Sequence, residues 1–222
     1  MNLNLMVNEL TYGNRNVNEE DMLYLMELIE KVEDSELNED NIRALHVLDE
    51  YLMIQKLKGN TLISDETIKK INIITRDYST KAAKKRHEEY MEKLSKTYYI
   101  TDYEKIGLTF QSSDKWDYVR LSDNSKGTPV KFEQAEGGLL IKMTKCNYPG
   151  YDYLTKSSKN WVYLDKRENA TPWILNIDTL QHIYTEGGGE HNFNMYFKFF
   201  NQGGHQWLGI DRERNSFDVV PS

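Results

Sequence analysis

The first part of the chain carries apolar residues at helical spacing. Asn18, Asn38 and Ser64 are each followed by acidic residues, an arrangement that caps a helix and suits its dipole. Behind each cap, apolar residues recur every three or four positions, which predicts three amphipathic helices. Gly59 supplies a stop for the second helix, and the highly charged stretch 79–96 predicts a further helical segment. Short connections between the segments favour a small bundle of antiparallel helices.

The rest of the chain has the pattern of short strands and repeats itself three times. Aromatic and aliphatic residues stand between turn signals in four short runs per repeat. Equivalent positions lie 43 and 46, 43 and 44, or 41 and 42 residues apart in the three clearest series. These series are Leu121, Leu164 and Ile210; Phe132, Leu175 and Val219; and Ile100, Ile141 and Ile183. A period of this length indicates repeated β-supersecondary structure, and three units favour a closed barrel with pseudo-threefold symmetry.

The expected strands form three sets of four. They span 98–101, 106–110, 118–121 and 130–132; then 139–143, 151–154, 161–164 and 173–175; then 182–184, 195–200, 207–210 and 217–219. Six strands would close a barrel and three hairpins would cap one end, which is a β-trefoil. We therefore predict an α+β chain with a helical domain over residues 1–96 and a β-trefoil over 97–222. All tryptophans, all prolines and 11 of 13 glycines lie in the second domain.

Alternation along the third strand of each repeat assigns the two faces of that strand. The residues expected to point into the barrel are Val119, Leu121, Val162, Leu164, Leu208 and Ile210. Tyr118, Trp161 and Trp207 should then point the other way at three equivalent places. Trp173 is expected in the core, since Val130 and Phe217 hold the equivalent positions.

Composition narrows the classes of function. A formal net charge of −7 disfavours nonspecific binding to nucleic acid. The single cysteine, Cys146, excludes an intramolecular disulfide. No apolar run approaches the ~18–20 residues that a membrane span needs, and the N-terminus lacks the features of a secretory signal. We expect a cytoplasmic protein where it is made, released by lysis or a dedicated export route if it acts outside the cell.

Residues 97–222 resemble the β-trefoil superfamily, and within it the ricin-B-type lectins and related agglutinin-like modules. Gly127-Thr128-Pro129-Val130 is similar to the Gly-Thr-Pro-Val segment of the lectin repeat. The stretches 161–164 and 169–175 look like the trefoil pattern of a third strand followed by a Trp-x-Leu strand. The Gln-x-Trp box of the lectins is absent from all three repeats, and so are their disulfides. The helical domain resembles no family that we can name.

The resemblance implies that a loop after the third strand supplies a carboxylate and an amide to sugar hydroxyls, while an aromatic ring stacks on the sugar. The polar candidates are Asp165 and Asn169 in the second repeat, and Asp211 and Asn215 in the third. The aromatic candidates are Trp161, Tyr153 and Trp207. The alternative is that these Asp and Asn residues only shape tight turns. Ser122 and Lys126 stand at their places in the first repeat, where we expect no site.

No catalytic or metal-binding pattern is visible in the sequence. The five histidines lack metal-ligand spacing, and the 187–191 segment lacks the Lys-Ser/Thr ending of a phosphate-binding loop. We expect no cofactor and no enzyme. The leading hypothesis is a lectin-like module for a glycan or a cell-surface receptor, toxin- or phage-associated, with the helical domain serving oligomerisation or an effector task. The alternative is a protein-directed inhibitor or adaptor that uses the trefoil loops.

Overall fold

The computed structural model describes residues 3–13, 17–32, 38–59, 62–177, 182–186 and 193–222. The glycine-rich segment 187–191 lies outside the described residues. The chain forms two compact units, Met1–Tyr90 and Met91–Ser222. The predicted boundary at 96–97 falls one residue after the last helix, and the independent folding of the two domains stays a prediction.

In the part of the chain that the structure describes, four helices precede the strands: α1 (Leu3–Tyr12), α2 (Glu19–Glu30), α3 (Glu39–Leu57) and α4 (Asp65–Ser95). The predicted caps are in place. The Asn18 side chain accepts from the Asp21 N–H at 3.1 Å, and the Asn38 side chain accepts from the Asn41 N–H at 2.9 Å. The third predicted helix and the stretch 79–96 form one continuous helix, because neither glycine nor proline interrupts them.

The first helix, α1, was not predicted from the sequence, although its apolar residues have helical spacing. Its buried side chains join a core built from all four helices. The most deeply buried members of this core are Val7, Leu10, Val17, Met22, Leu25, Leu45, Leu48, Leu52 and Ile71. Removing their apolar surface from water is the main stabilising contribution to this unit.

The described residues form eleven strands after the helices, and every pairing between these strands is antiparallel. They are β1 (Tyr98–Thr101), β2 (Leu108–Ser113), β3 (Trp116–Leu121), β4 (Val130–Ala135), β5 (Gly138–Met143), β6 (Tyr153–Lys156), β7 (Val162–Asp165), β8 (Tyr184–Glu186), β9 (Asn194–Gln202), β10 (His205–Asp211) and β11 (Asp218–Pro221). The predicted strand 173–175 is reduced to two bridging residues. Trp173 pairs with Leu139, and Ile174 pairs with Tyr184.

The register of the strands confirms the pseudo-threefold symmetry. Around the axis, the third strand of each repeat pairs with the third strand of the next through equivalent residues. These pairs are Tyr118 with Tyr163, Trp161 with Gly209, and Trp207 with Arg120. In the barrel, the last strand of each repeat pairs in the same way with the first strand of the following repeat. These pairs are Lys131 with Lys142, Ile174 with Tyr184, and Asp218 with Thr101. The fold of residues 98–221 is therefore the predicted β-trefoil, which follows a helical unit in the sequence.

The barrel core is filled by side chains from all three repeats. Val119, Val162 and Leu208 are each 0% exposed, as predicted for the inward face of the third strands. Trp173 is also fully buried; its ring packs against Phe197 with centroids 4.6 Å apart. The predicted core position of Trp173 is thus confirmed.

Candidate functional site

Three aromatic side chains surround the pseudo-threefold axis on the face opposite to the barrel core. Tyr118, Trp161 and Trp207 hold equivalent positions, and each is half-buried. The residue after each of them is fully buried, so alternation leaves the three rings on the other face, as predicted. Together they line a cavity of about 690 Å³, which we call the aromatic cup.

The turns of the three hairpins form the rim of the aromatic cup. The β2–β3 turn at Asp114 and Lys115 and the β9–β10 turn at Gly203 and Gly204 have positive φ at both residues. This geometry matches the right-handed twist of the strands that it joins. One residue of each turn lines the cup, namely Asp114, Lys159 and Gly203. The hairpins that close the trefoil therefore also place polar groups around the aromatic rings.

The approach of the second and third repeats at the axis depends on Gly209. The Ile210 N–H donates to the Asn160 carbonyl at 2.9 Å. A Cβ atom on Gly209 would lie 2.9 Å from that carbonyl oxygen and 2.8 Å from the Phe200 ring. Phe200 in turn packs edge-on against Trp161, with ring centroids 5.6 Å apart. A larger residue at position 209 would thus displace a wall of the cup.

The cup combines aromatic walls with a polar lining. Trp207 is held in place because its indole N–H donates to the Gln202 carbonyl at 2.9 Å. Its ring meets Tyr118 edge-to-face, with centroids 6.4 Å apart. The polar side chains of the lining belong to Gln111, Ser113, Asp114, Lys159, Gln202 and His205. This set offers both hydrogen-bond donors and acceptors beside a surface on which an apolar face can stack.

Of the seven residues that the sequence suggested as a ligand site, two line the cup: Trp161 and Trp207. The structure places Tyr153 elsewhere. This side chain is 5% exposed, and its hydroxyl donates to Glu133 at 2.7 Å. Burial, together with the adjacent Glu133 carboxylate, raises the pKa of Tyr153. Its ring therefore has little surface to offer a sugar.

Asp165 and Asn169 lie together after β7, outside the cup. The Asp165 carboxylate is 4% exposed. It accepts hydrogen bonds from the Tyr163 hydroxyl at 2.9 Å, the Lys166 N–H at 2.7 Å and the Asn169 amide at 3.3 Å. Binding of a sugar by Asp165 would require some of these bonds to open. Ligand contact at this place stays a prediction.

Asp211 and Asn215 stand at the equivalent place of the third repeat. Asp211 accepts from Lys198 at 3.1 Å and from the Arg212 N–H at 2.6 Å. The hydrogen bond from Lys198 is the main reason why the pKa of Asp211 is lowered. Asn215 lines a separate groove of about 490 Å³, which also holds Arg120 and Lys198. Asn215 therefore shares no cavity with Trp207, while Asp211 lines a small pocket together with Trp161.

The first repeat shows the same turn chemistry without the acid. The Ser122 hydroxyl accepts from the Ser125 N–H at 3.1 Å and donates to the Ser125 carbonyl. Ser122, Asp165 and Asp211 thus share a hydrogen bond from a nearby backbone N–H, a bond typical of side chains that shape turns. Gln111, Asp114, Lys159 and His205 were not predicted as site residues, because Asp114 and Lys159 lie at hairpin tips and Gln111 and His205 lie in strands next to such tips. Superposing the three repeats on their equivalent aromatics would have drawn these tips together.

Metal binding, thiol chemistry and membrane insertion are three further possibilities for the described residues. Within them, no group of three or more His, Cys, Asp or Glu side chains is placed to hold a metal ion. Burial raises the pKa of the Cys146 thiol, and its sulfur contacts the Tyr148 carbonyl oxygen at 3.2 Å. None of the described helices combines the length and the apolar character needed to cross a membrane.

Some solved structures of other proteins are similar in shape to part of this chain. No protein-family model matches the chain, and no curated protein sequence matches it. The solved structure of the lysenin pore is similar at a TM-score of 0.48 and 16% identity, over 57% of this chain and 46% of that one. The chain thus spans less than half the length of that lysenin chain.

Two plant inhibitors are also similar. The bifunctional α-amylase/subtilisin inhibitor of Oryza sativa has a TM-score of 0.43 and 14% identity, over 58% of this chain and 91% of that one. The soybean trypsin inhibitor has a TM-score of 0.42 and 12% identity, over 57% and 91%. Because these scores are below 0.5, the trefoil assignment rests on the strand register given above.

Proposed function

We propose that this chain is a recognition protein that binds carbohydrate in the aromatic cup and performs no catalytic step on it. The observation that carries the proposal is the convergence of Tyr118, Trp161 and Trp207 on one open cavity with a polar rim. A sugar ring has an apolar face of C–H groups and an equator of hydroxyls. The aromatic rings of the cup can stack on the apolar face of the sugar. The amides, the hydroxyl and the charged side chains of the cup can form hydrogen bonds with the hydroxyls of the sugar.

The charged lining of the cup adds strength to such hydrogen bonds. Asp114 accepts and Lys159 donates, and bonds to ionised groups are roughly twice as strong as neutral ones. The cup is open, so a single site would bind weakly. Useful affinity would then come from several sites on one assembly. Oligomerisation through the helical unit, which would supply such an assembly, stays a prediction.

A glycan array followed by titration of the strongest ligand tests the proposal. Trp161→Ala and Trp207→Ala are each expected to weaken binding at least about tenfold, because each removes one wall of the cup. Trp161→Phe should retain part of the affinity. The matched control is Tyr103→Ala, which removes an aromatic ring of the same unit that is 81% exposed and lies outside the cup. Thermal melting of every variant separates lost binding from lost folding.

Two results would replace the proposal. In the first, no glycan of the array binds, and a protein partner is captured by the wild type but not by Trp161→Ala. This result would identify an inhibitor or adaptor. A bound glycan that is shortened or modified after incubation, as read by mass spectrometry, would identify an enzyme.

A further inference from the structure

A second group of aromatic side chains lies beside the cup. Trp116 meets Tyr163 edge-to-face with centroids 5.1 Å apart, and meets Tyr151 with centroids 5.9 Å apart. Trp116 is 37% exposed, the most exposed of the four tryptophans. Tyr151 and Tyr163 are half-buried. We call Trp116, Tyr151 and Tyr163 the aromatic platform.

The aromatic platform is continuous with the cup. Trp116 and Tyr118 are two residues apart on β3, so their side chains leave the strand on the same face. Tyr118 pairs directly with Tyr163 across β3 and β7, and their ring centroids are 6.2 Å apart. Aromatic contacts therefore run without a break from Tyr151 through Trp116, Tyr163 and Tyr118 to Trp207 in the cup.

The loop before β6, which carries Tyr151 of the platform, is held in place by a buried carboxylate. Asp117, between Trp116 and Tyr118, points into the protein and is 1% exposed. Its two carboxylate oxygens accept from the Asn147 N–H at 2.6 Å and from the Asn147 side-chain amide at 2.7 Å. The Lys166 ammonium lies 5.3 Å from the centre of the Tyr151 ring. The platform is thus a built surface with a cationic donor at its edge.

We infer that the aromatic platform is a second sugar subsite, and that the natural ligand is a chain of linked sugar units rather than a single one. This inference rests on the proposed function of the cup. A large aromatic ring that stays exposed to water contributes little to the free energy of folding. A row of such rings, however, offers successive stacking positions to a linear ligand. The cup would hold one unit, and the platform would hold a unit further along the chain.

Carbohydrate is favoured over the other linear ligands that stack on aromatic rings. The formal net charge of −7 opposes the phosphates of single-stranded nucleic acid. A proline-rich peptide needs an aromatic groove but few charged partners. Here Asp114, Lys159 and Lys166 stand next to the rings, as suits a ligand with many hydroxyls.

The test uses the full chain and two ladders of saccharides, cello-oligosaccharides and chito-oligosaccharides of one to six units, titrated by calorimetry. For the wild type we expect affinity for at least one ladder to rise about tenfold between the single sugar and the longer members. Trp116→Ala should abolish this gain while leaving the affinity for the single sugar unchanged. Trp116→Tyr should restore part of the gain, and Trp161→Ala should weaken binding at every length.

The outcomes separate this inference from the proposed function. Saccharide binding that does not depend on chain length, or a length gain that survives in Trp116→Ala, overturns the second subsite and leaves the cup in place. Binding to neither ladder by a chain that binds a glycan of the array also overturns the second subsite alone. Binding to no glycan of the array, or binding of a proline-rich peptide through Trp116 instead, overturns both.

Discussion

At the scale of single residues, alternate positions of the third strands serve two purposes. Val119, Val162 and Leu208 fill the barrel core, while the residue before each of them contributes a ring to the cup. Because successive side chains point to opposite faces, core packing fixes the height and direction of the rings. Mutations of the cup that spare this packing should therefore change binding more than stability.

Tyr163 gives a prediction that depends on pH. Burial and the hydrogen bond to Asp165 raise the pKa of Tyr163 to about 12, above its ordinary value of 10. The folded state thus holds this proton more tightly than the unfolded state does. The contribution of the protonated Tyr163 hydroxyl to the free energy of unfolding is therefore fully present below pH 10 and is lost as the pH rises towards 12.

The comparison of wild type with Tyr163→Phe measures this effect. Urea unfolding at several pH values should show a stability difference that is constant below pH 10 and falls steadily above it. A difference that stays constant up to pH 12 would show that neither burial nor the hydrogen bond to Asp165 raises the pKa of Tyr163 in the folded protein.

At the scale of elements, one carboxylate joins two helices of the first unit. Glu19, the first residue of α2, accepts from the Ser64 N–H at 2.8 Å and from the Ser64 hydroxyl at 2.9 Å. It also accepts from the hydroxyl of Thr67 in α4. An acid beside the N-terminus of a helix is favoured by the helix dipole. Glu19 therefore caps α4 from another helix.

The pKa of Glu19 is lowered, chiefly by the hydrogen bond from Thr67. Its contribution to stability is thus present above its ordinary pKa of 4.5 and is lost as the pH falls through the depressed value. Glu19→Ala should cost about 1 kcal/mol at pH 7, since the bonds are charged but partly exposed to water. Circular dichroism at the helical minimum during urea unfolding measures the cost. A cost that does not shrink between pH 5 and pH 3 would contradict the account.

The sequence foresaw elements better than it foresaw the site. Helix caps such as Asn18 and Asn38 are local signals that can be read from neighbouring residues. The period of about 43 residues is recognisable because small insertions fall in the loops and change the spacing only slightly. Trp161 and Trp207 were foreseen because alternation is also local. The cup as a whole was not, because Asp114, Lys159 and Gly203 are brought together only by strand pairing around the axis. The hydrogen bonds of Asp165 with Tyr163 and Asn169 were not predictable either, because they form only in the folded chain; ligand contact by Asp165 stays a prediction.

At the scale of the whole molecule, the end of α4 belongs to the β unit. Leu94 is 7% exposed and packs in the barrel core, and the Tyr98 hydroxyl donates to the Lys93 carbonyl at 2.9 Å. A fragment 97–222 lacks both contacts, whereas a fragment 91–222 retains them. Both fragments should show far-UV circular dichroism typical of β structure, with almost no helix in the shorter one.

The longer fragment should be the more stable by about 2 kcal/mol, the scale of burying one leucine side chain. Urea unfolding of the two fragments gives the difference directly. Equal stability would place Leu94 outside the core, and substantial helix in fragment 97–222 would refute the boundary at residue 97.

The central claim, that the cup binds carbohydrate, is tested most directly by the indole N–H signals in a nitrogen-15 NMR titration with the strongest glycan of the array. The chain has four such signals, one from each tryptophan, and single Trp→Phe variants assign them. We predict that the signals of Trp161 and Trp207 shift on saturation, while that of the buried Trp173 stays in place. Unmoved signals from Trp161 and Trp207, with shifts confined to the backbone amides around Asp165 and Asp211, would contradict the account and place the sugar in the loops after the third strands.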